Sequence, residues 1–171
     1  GIVSGGSIVS GGGTGADTLN VYSVDVSNVE FGDSVSLDIK TDGLTLTNIE
    51  GSADLDIASV TVTAVGTVQV DSLDGDGQLD LTNATLQDAE FVDAEPVLIL
   101  SNSTLQDVRL FTGDTLTNSG TLTIVGEVLL GASGDGNSNT VTLTGSGIVS
   151  GGSIVSGGGT GADTLNVYSV D

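Results

Sequence analysis

Residues 1–25 of this chain return unchanged as residues 147–171. Each reads GIVSGGSIVSGGGTGADTLNVYSVD, and the shift between them is 146. Chance does not produce such an identity, and a compact domain has no physical need of it. One full period of a tandem array, plus an overlap into the next, accounts for it. Two capping segments on a finite domain are the other reading, although caps ordinarily differ from each other because they face opposite ways. Residues 1–146 are therefore read as one unit and 147–171 as the start of the next, in one continuous rod. The identity predicts that both copies take the same backbone, displaced along one axis.

A shorter period runs inside the unit. LDLTNATLQDAEF at 79–91 aligns with LILSNSTLQDVRL at 98–110, a shift of 19, and VDVSNVE at 24–30 aligns with LTLTNIE at 44–50, a shift of 20. Asn28, Asn48, Asn83, Asn102 and Asn118 advance by one or two steps of about 16 to 20, and eight such steps fill 146. A step of that size is one coil of a β-solenoid. Between the Gly, Asn and Asp breaks lie short alternating segments, such as SLDI at 36–39, LTLT at 44–47, TVQV at 67–70 and TLTI at 121–124. Period-two alternation points Leu, Ile and Val inward and Thr, Asp and Gln outward. No helical apolar stripe competes, and the Gly and β-branched content opposes helix. Strands this short cannot stand alone but can stack coil on coil. The predicted fold is all-β, a parallel β-solenoid (β-helix) with coils of about 16–20 residues.

Two roles are open to the recurring Asn. Its side chain can face the interior at a coil corner and bond the next Asn and the turn carbonyls, forming a ladder. Equally, Asn tolerates the dihedrals of a turn without any ladder.

Charge narrows the partners. Lys40 and Arg109 are the only cationic side chains against 23 Asp and Glu, a net charge of -21, while 37% of the chain is hydrophobic. That apolar fraction removes disorder as the meaning of the acidity. Nucleic acid and anionic membrane surfaces both demand clustered Lys and Arg, so neither is expected as a partner. No apolar run is long enough to insert into a bilayer. Cations are the natural counter-charge, sodium or calcium.

Chemistry is narrowed further by the absence of His and Cys. The usual general bases, thiol nucleophiles and soft metal ligands are missing, and no disulfide contributes. Paired carboxylates cut glycosides in some solenoids, but such clefts grip sugar with aromatic or basic side chains that are scarce here. No enzymatic activity is expected. The best ion-site candidate is DSLDGDGQLD at 71–80, where Asp74, Asp76, Gln78 and Asp80 alternate in a Gly-bent loop and offer hard oxygens to calcium. Thr85 stands where a helix–loop–helix calcium site would carry its closing Glu, and a solvated acidic turn is the other reading. GDGNSN at 134–139 is a weaker version. Thr-x-Thr pairs such as Thr61/Thr63 and Thr142/Thr144 hint at an ice-binding face, but they do not recur at every coil.

IVSGG starts at positions 2, 8, 148 and 154. This resembles the Gly-Gly-bearing coils of autotransporter passenger domains and other large bacterial surface adhesins, which are parallel β-solenoids. The resemblance covers the duplicated segments 1–25 and 147–171 and, loosely, the recurring coils; the middle of the chain departs from it, with more Asp and few Gly-Gly corners. It implies a location outside the cell, secreted or on a bacterial surface. There the unit would stack on itself, adjacent units head to tail and the rods single or bundled, as a fibre or stalk. An adhesin binding a surface or carbohydrate is the alternative it implies. Composition alone would also allow the Gly-rich stretches to be linkers between compact domains.

Overall fold

Inward-facing aliphatic residues at every second position give this chain strands that are stable only when another strand lies above and below. The computed structural model, which describes residues 1–12, 15–92, 97–111, 113–131, 137–157 and 160–171, is built that way throughout. Its nineteen strands among the described residues form one continuous sheet in which every pairing is parallel. The fold is the expected parallel β-solenoid. Each coil has three sides, visited in a fixed order.

The first side carries Ile2–Ser4, then 25–27, 44–47 and 61–63, followed by Gln78–Thr82, Val97–Ser101, Thr115–Asn118, Thr140–Gly145 and Thr164–Tyr168. The second side begins with Ser7–Ile8 and runs through 29–31, 49–51, 66–69, Ala84–Gln87, 103–106 and 121–124 to 148–151. Asp17–Val21, Val35–Ile39, Asp54–Asp56, Ser72–Asp74 and Glu90–Phe91 build the third, continued by 108–110, 127–130 and 153–156.

Register holds the core in vertical files. Leu44, Val62, Leu79, Leu98, Leu116 and Leu143 stack up the first side. Ile49, Val68, Leu86, Leu105 and Ile124 stack up the second, and Leu19, Leu37, Leu55, Leu73 and Phe91 up the third. From Leu37 to Leu105 every member of these files except Leu44 is at most 1% exposed. A one-residue slip would turn each file to solvent, so the hydrophobic alternation fixes the register.

Coil length departs from expectation at both ends. Leu44 faces Val62, Thr61 faces Gln78, Gln78 faces Val97 and Val97 faces Thr115, steps of 17 to 19. Near the ends, however, Ile2 faces Asp25, Thr115 faces Thr142 and Thr140 faces Thr164, steps of 23, 27 and 24. In these wider coils the added chain falls at a corner: between the second and third sides from Ile8 to Asp17, and between the third and first sides from Leu130 to Thr140 and from Ser156 to Thr164. Length added at a corner leaves the files undisturbed, so it is tolerated there.

The wider coils change the count. Seven coils, not eight, separate Ile2 from Thr144, and Ile148 then stands on the second side, facing Thr121. The two copies of the duplicated segment therefore occupy different sides. Their backbones differ as well, against the expectation of one shared conformation. The first copy breaks into Ile2–Ser4 and Ser7–Ile8 around Gly5 and Gly6, with φ of 76° and 82°, whereas the second is one strand, Ile148–Ser156. The second lies along Thr121–Leu130, which straightens it, while the first pairs with Asp25–Phe31 above.

Inward and outward neighbours should respond differently to truncation. Leu98→Ala is expected to cost about 2–5 kcal/mol through lost burial and a cavity. Ile99→Thr, facing outward on the same strand, should stay within about 0.5 kcal/mol. Equal losses in chemical denaturation would mean that the register is wrong.

Candidate functional site

Corners are where a solenoid exposes its backbone, and here they are handled by residues with positive φ. Asn28, Asn48, Asn83 and Asn102 have φ of 54°, 47°, 56° and 52° at the corner between the first and second sides. All four are exposed. The Asn ladder read from the sequence is thus an outer column, not an interior one, and its common cause is the left-handed backbone that Asn adopts at low cost. One rung exists: Asn48 Nδ2 donates to Asn28 Oδ1 at 3.0 Å. Asn118 does not belong to the column. It pairs with Leu100 instead of Asn102 and faces inward, fully buried, where Nδ2 donates to Ile148 O at 3.2 Å and Oδ1 accepts from Gly120 N at 3.3 Å.

Sequence reasoning missed a second use of these side chains. Asn and Asp oxygens at the corners reach one coil onward and accept a backbone N–H. Thr45 N donates to Asp25 Oδ1 at 2.8 Å, Thr61 N to Asp42 Oδ1 at 2.7 Å, Thr121 N to Asn102 Oδ1 at 3.3 Å and Glu127 N to Asp107 Oδ1 at 3.4 Å. Each bond spans one coil and satisfies a backbone donor at or near a corner. The recurrence of Asn or Asp one coil before such a donor was the available signal.

The proposed calcium loop is divided. Asp74 ends a strand on the third side, Asp76 lies in the corner, and Gln78 and Asp80 lie on the first side. Each carboxylate has its own partners: Asp74 Oδ1 accepts from Gly75 N at 2.6 Å, Asp76 Oδ1 from Ser59 N and Oγ at 2.7 and 2.9 Å, and Asp80 Oδ1 from Thr82 N and Oγ1 at 3.0 and 2.7 Å. The structure does not bring the four together. Among the described residues no group of three or more His, Cys, Asp or Glu is placed to hold a metal ion. Of the weaker candidate at 134–139, residues 134–136 lie outside the described residues.

Outward side chains also stack. Asp38, Asp56 and Asp74 follow one another in register on the third side, and Thr67, Thr85, Thr104 and Thr123 on the second. Like charges at strand spacing repel by about 1 kcal/mol per neighbour in a water-like dielectric. Lys40 answers part of this by an ion pair with Asp38, and Arg109 bridges one coil down to Glu90 at 2.9 Å. Both cationic side chains are therefore paired. Amides relieve another acid, since Gln69 and Gln87 Nε2 both donate to Asp88 Oδ2, at 2.7 and 3.1 Å.

No protein-family model matches the chain, and no curated protein or solved structure matches it either. Among the described residues no helix is long and apolar enough to cross a membrane.

Titration separates the two kinds of acid. Hydrogen bonds from the Ser59 side chain and backbone hold Asp76 below the usual carboxylate range, whereas burial, then the charges of Asp54, Asp33 and Asp88, push Asp71 above it. Stability from Asp76 is present above an unfolded value of about 4 and is lost as pH falls through its lowered folded value. Asp71 has the opposite sign, costing stability at neutral pH and ceasing to do so as pH falls through its raised value. Asp76→Asn should accordingly lower the melting temperature at pH 7 and much less at pH 3, while Asp71→Asn raises it at pH 7. Identical pH profiles for the two variants would contradict this. A separate check concerns the Asn column: Asn83→Gly should be tolerated and Asn83→Val should cost about 1–2 kcal/mol, since only the second strains a left-handed backbone. A loss from Asn83→Gly as large as that from Asn83→Val would favour a side-chain ladder.

Proposed function

We propose that this chain is a length-giving structural unit of an extracellular, bacterial surface fibre or stalk, without enzymatic activity. The observation that carries the reading is the seating of the second copy of the duplicated segment directly on the coil before it, by parallel pairing along 121–124, 127–130 and 140–144 with one bulge at the corner between 124 and 127. A unit that begins by extending the sheet of the unit before it adds length without a linker and without a hinge. Mechanical continuity follows, because the backbone ladder and all three side-chain files run along the axis. Strong negative charge keeps neighbouring rods apart in solution.

Seven coils and one side, at about 4.8 Å per coil, make a unit roughly 35 Å long. Chains carrying one, two and four units should therefore grow by about that increment in electron micrographs, as unbroken rods of constant width. Beads joined by flexible segments, or particles whose length does not grow with unit number, would rule the reading out.

A further inference from the structure

The two copies of the duplicated segment are chemically identical, so whatever differs between them comes from their neighbours. Gly147, Gly152 and Gly157 press against the coil beneath: a Cβ at these positions would collide with the carbonyl oxygens of Gly120, Gly126 and Gly131 respectively. Their counterparts Gly1, Gly6 and Gly11 have nothing within 4 Å of such a Cβ. The apolar residues behave alike. Val155 is half-buried where Val9 is 67% exposed, and Val149 is half-buried where Val3 is 46% exposed. Asp163 accepts from Asn139 N and Nδ2 at 2.9 and 3.0 Å in addition to its own Ser156, whereas the bonds of Asp17 come from its segment's own Ser10 and Gly11. Beneath the first copy the core opens instead into a cavity of about 230 Å³ lined by Val3, Ile8, Leu19, Val21, Val24 and Val26, with Asn20 and Tyr22 at its edge.

We infer that residues 1–12 and 15–25 form a seat for residues 120–131 and 137–145 of another copy of this unit, and that successive units join with an advance of one side of the triangle. The inference rests on the reading of the chain as a stacking unit and adds its partner and its geometry. The occupant is specified by the structure itself, since 121–130 and 140–144 already carry 148–156 and 164–168 of the identical segment. The advance is specified by the same pairings. The first copy starts on the first side beneath 25–27, and the second starts on the second side above 121–124. A unit of seven coils and one side therefore turns every surface feature by about a third of a revolution, and three units restore it. The Asp file of the third side and the Thr file of the second then face all three directions in succession. The wide coils at the ends of each unit are distributed around the axis too, so that their asymmetry cancels over three units instead of accumulating as a bend.

The chain contains no Cys, so introduced thiols report cleanly. Thr123 and Ser150 face each other across adjacent strands, within the reach of a disulfide. In this chain, Thr123→Cys with Ser150→Cys should form an intramolecular disulfide under mild oxidation, and Ser119→Cys with Ser150→Cys should not. Crosslinking of the second pair places the copy on the first side and overturns the advance, and failure of both pairs overturns the seat. Gly157→Ala should lower the melting temperature and Gly11→Ala leave it unchanged; equal effects also overturn the seat. In a chain of six units with Thr82→Cys gold-labelled in each, labels should recur about every 35 Å, rotating to the next side and returning after three. Labels in one straight line on an unbroken rod would reject the advance while leaving the stalk reading intact. Absence of a rod would reject both.

Discussion

Parallel pairing of each coil with the next is the interaction on which everything else here depends. No segment of this chain is long or apolar enough to fold by itself, and the segments that pair are about one coil apart in sequence. Stability is therefore local in sequence and propagates along the axis, as in other arrays whose units touch only their neighbours. That dependence explains why the inward positions are monotonous. Leu over Leu over Leu on the first side and Leu over Leu over Phe on the third ask only for a branched or aromatic group of suitable width at each level.

Corners set the other constraint. Three bends per coil leave donors without strand partners, and the chain meets this with short oxygen-bearing side chains in or beside left-handed turns. Asp107 shows both parts at once, with φ of 52° and an oxygen that accepts from Glu127 N one coil on. Asp42 and Asp25 perform the second part alone. Much of the acidity thus has a local structural use. It need not be read as a demand for metal, and the carboxylates of the 74–80 loop illustrate the point by facing three different sets of donors.

The fold was legible because inward periodicity and the self-alignment at a shift of 19 both survive in the sequence: 79 over 98 and 85 over 104 are aligned residues and paired residues alike. The corners were less legible. Asn118 continues the spacing of the Asn column by number but pairs with Leu100, short of the corner, so its side chain points into the core. Spacing alone cannot separate a shorter coil from a full coil whose Asn stops at another face. The geometry of the 74–80 loop was hidden for a related reason. Alternation in sequence is not convergence in space, because a Gly-bent loop at a solenoid corner sends its two arms along different sides. The number of coils was hidden too, since Gly-rich corner insertions lengthen the end coils without adding one.

The same indifference of side to sequence permits one segment to occupy two sides. A coil-forming stretch must supply an inward aliphatic group every second residue, a turn at each corner, and small residues where the neighbouring backbone comes close. IVSGGSIVS meets those demands on the first and second sides, and equally on the second and third. Nothing in it names a side. The side is fixed by the number of sides the chain has completed before it, while the length of the corners varies at little cost. Rotation between units is therefore set by the count of sides in a unit and not by corner insertions, which the core does not feel. A chain built this way changes the direction in which its surface files point only by gaining or losing a side, while corner residues come and go with its coils, their register and their pairing unchanged.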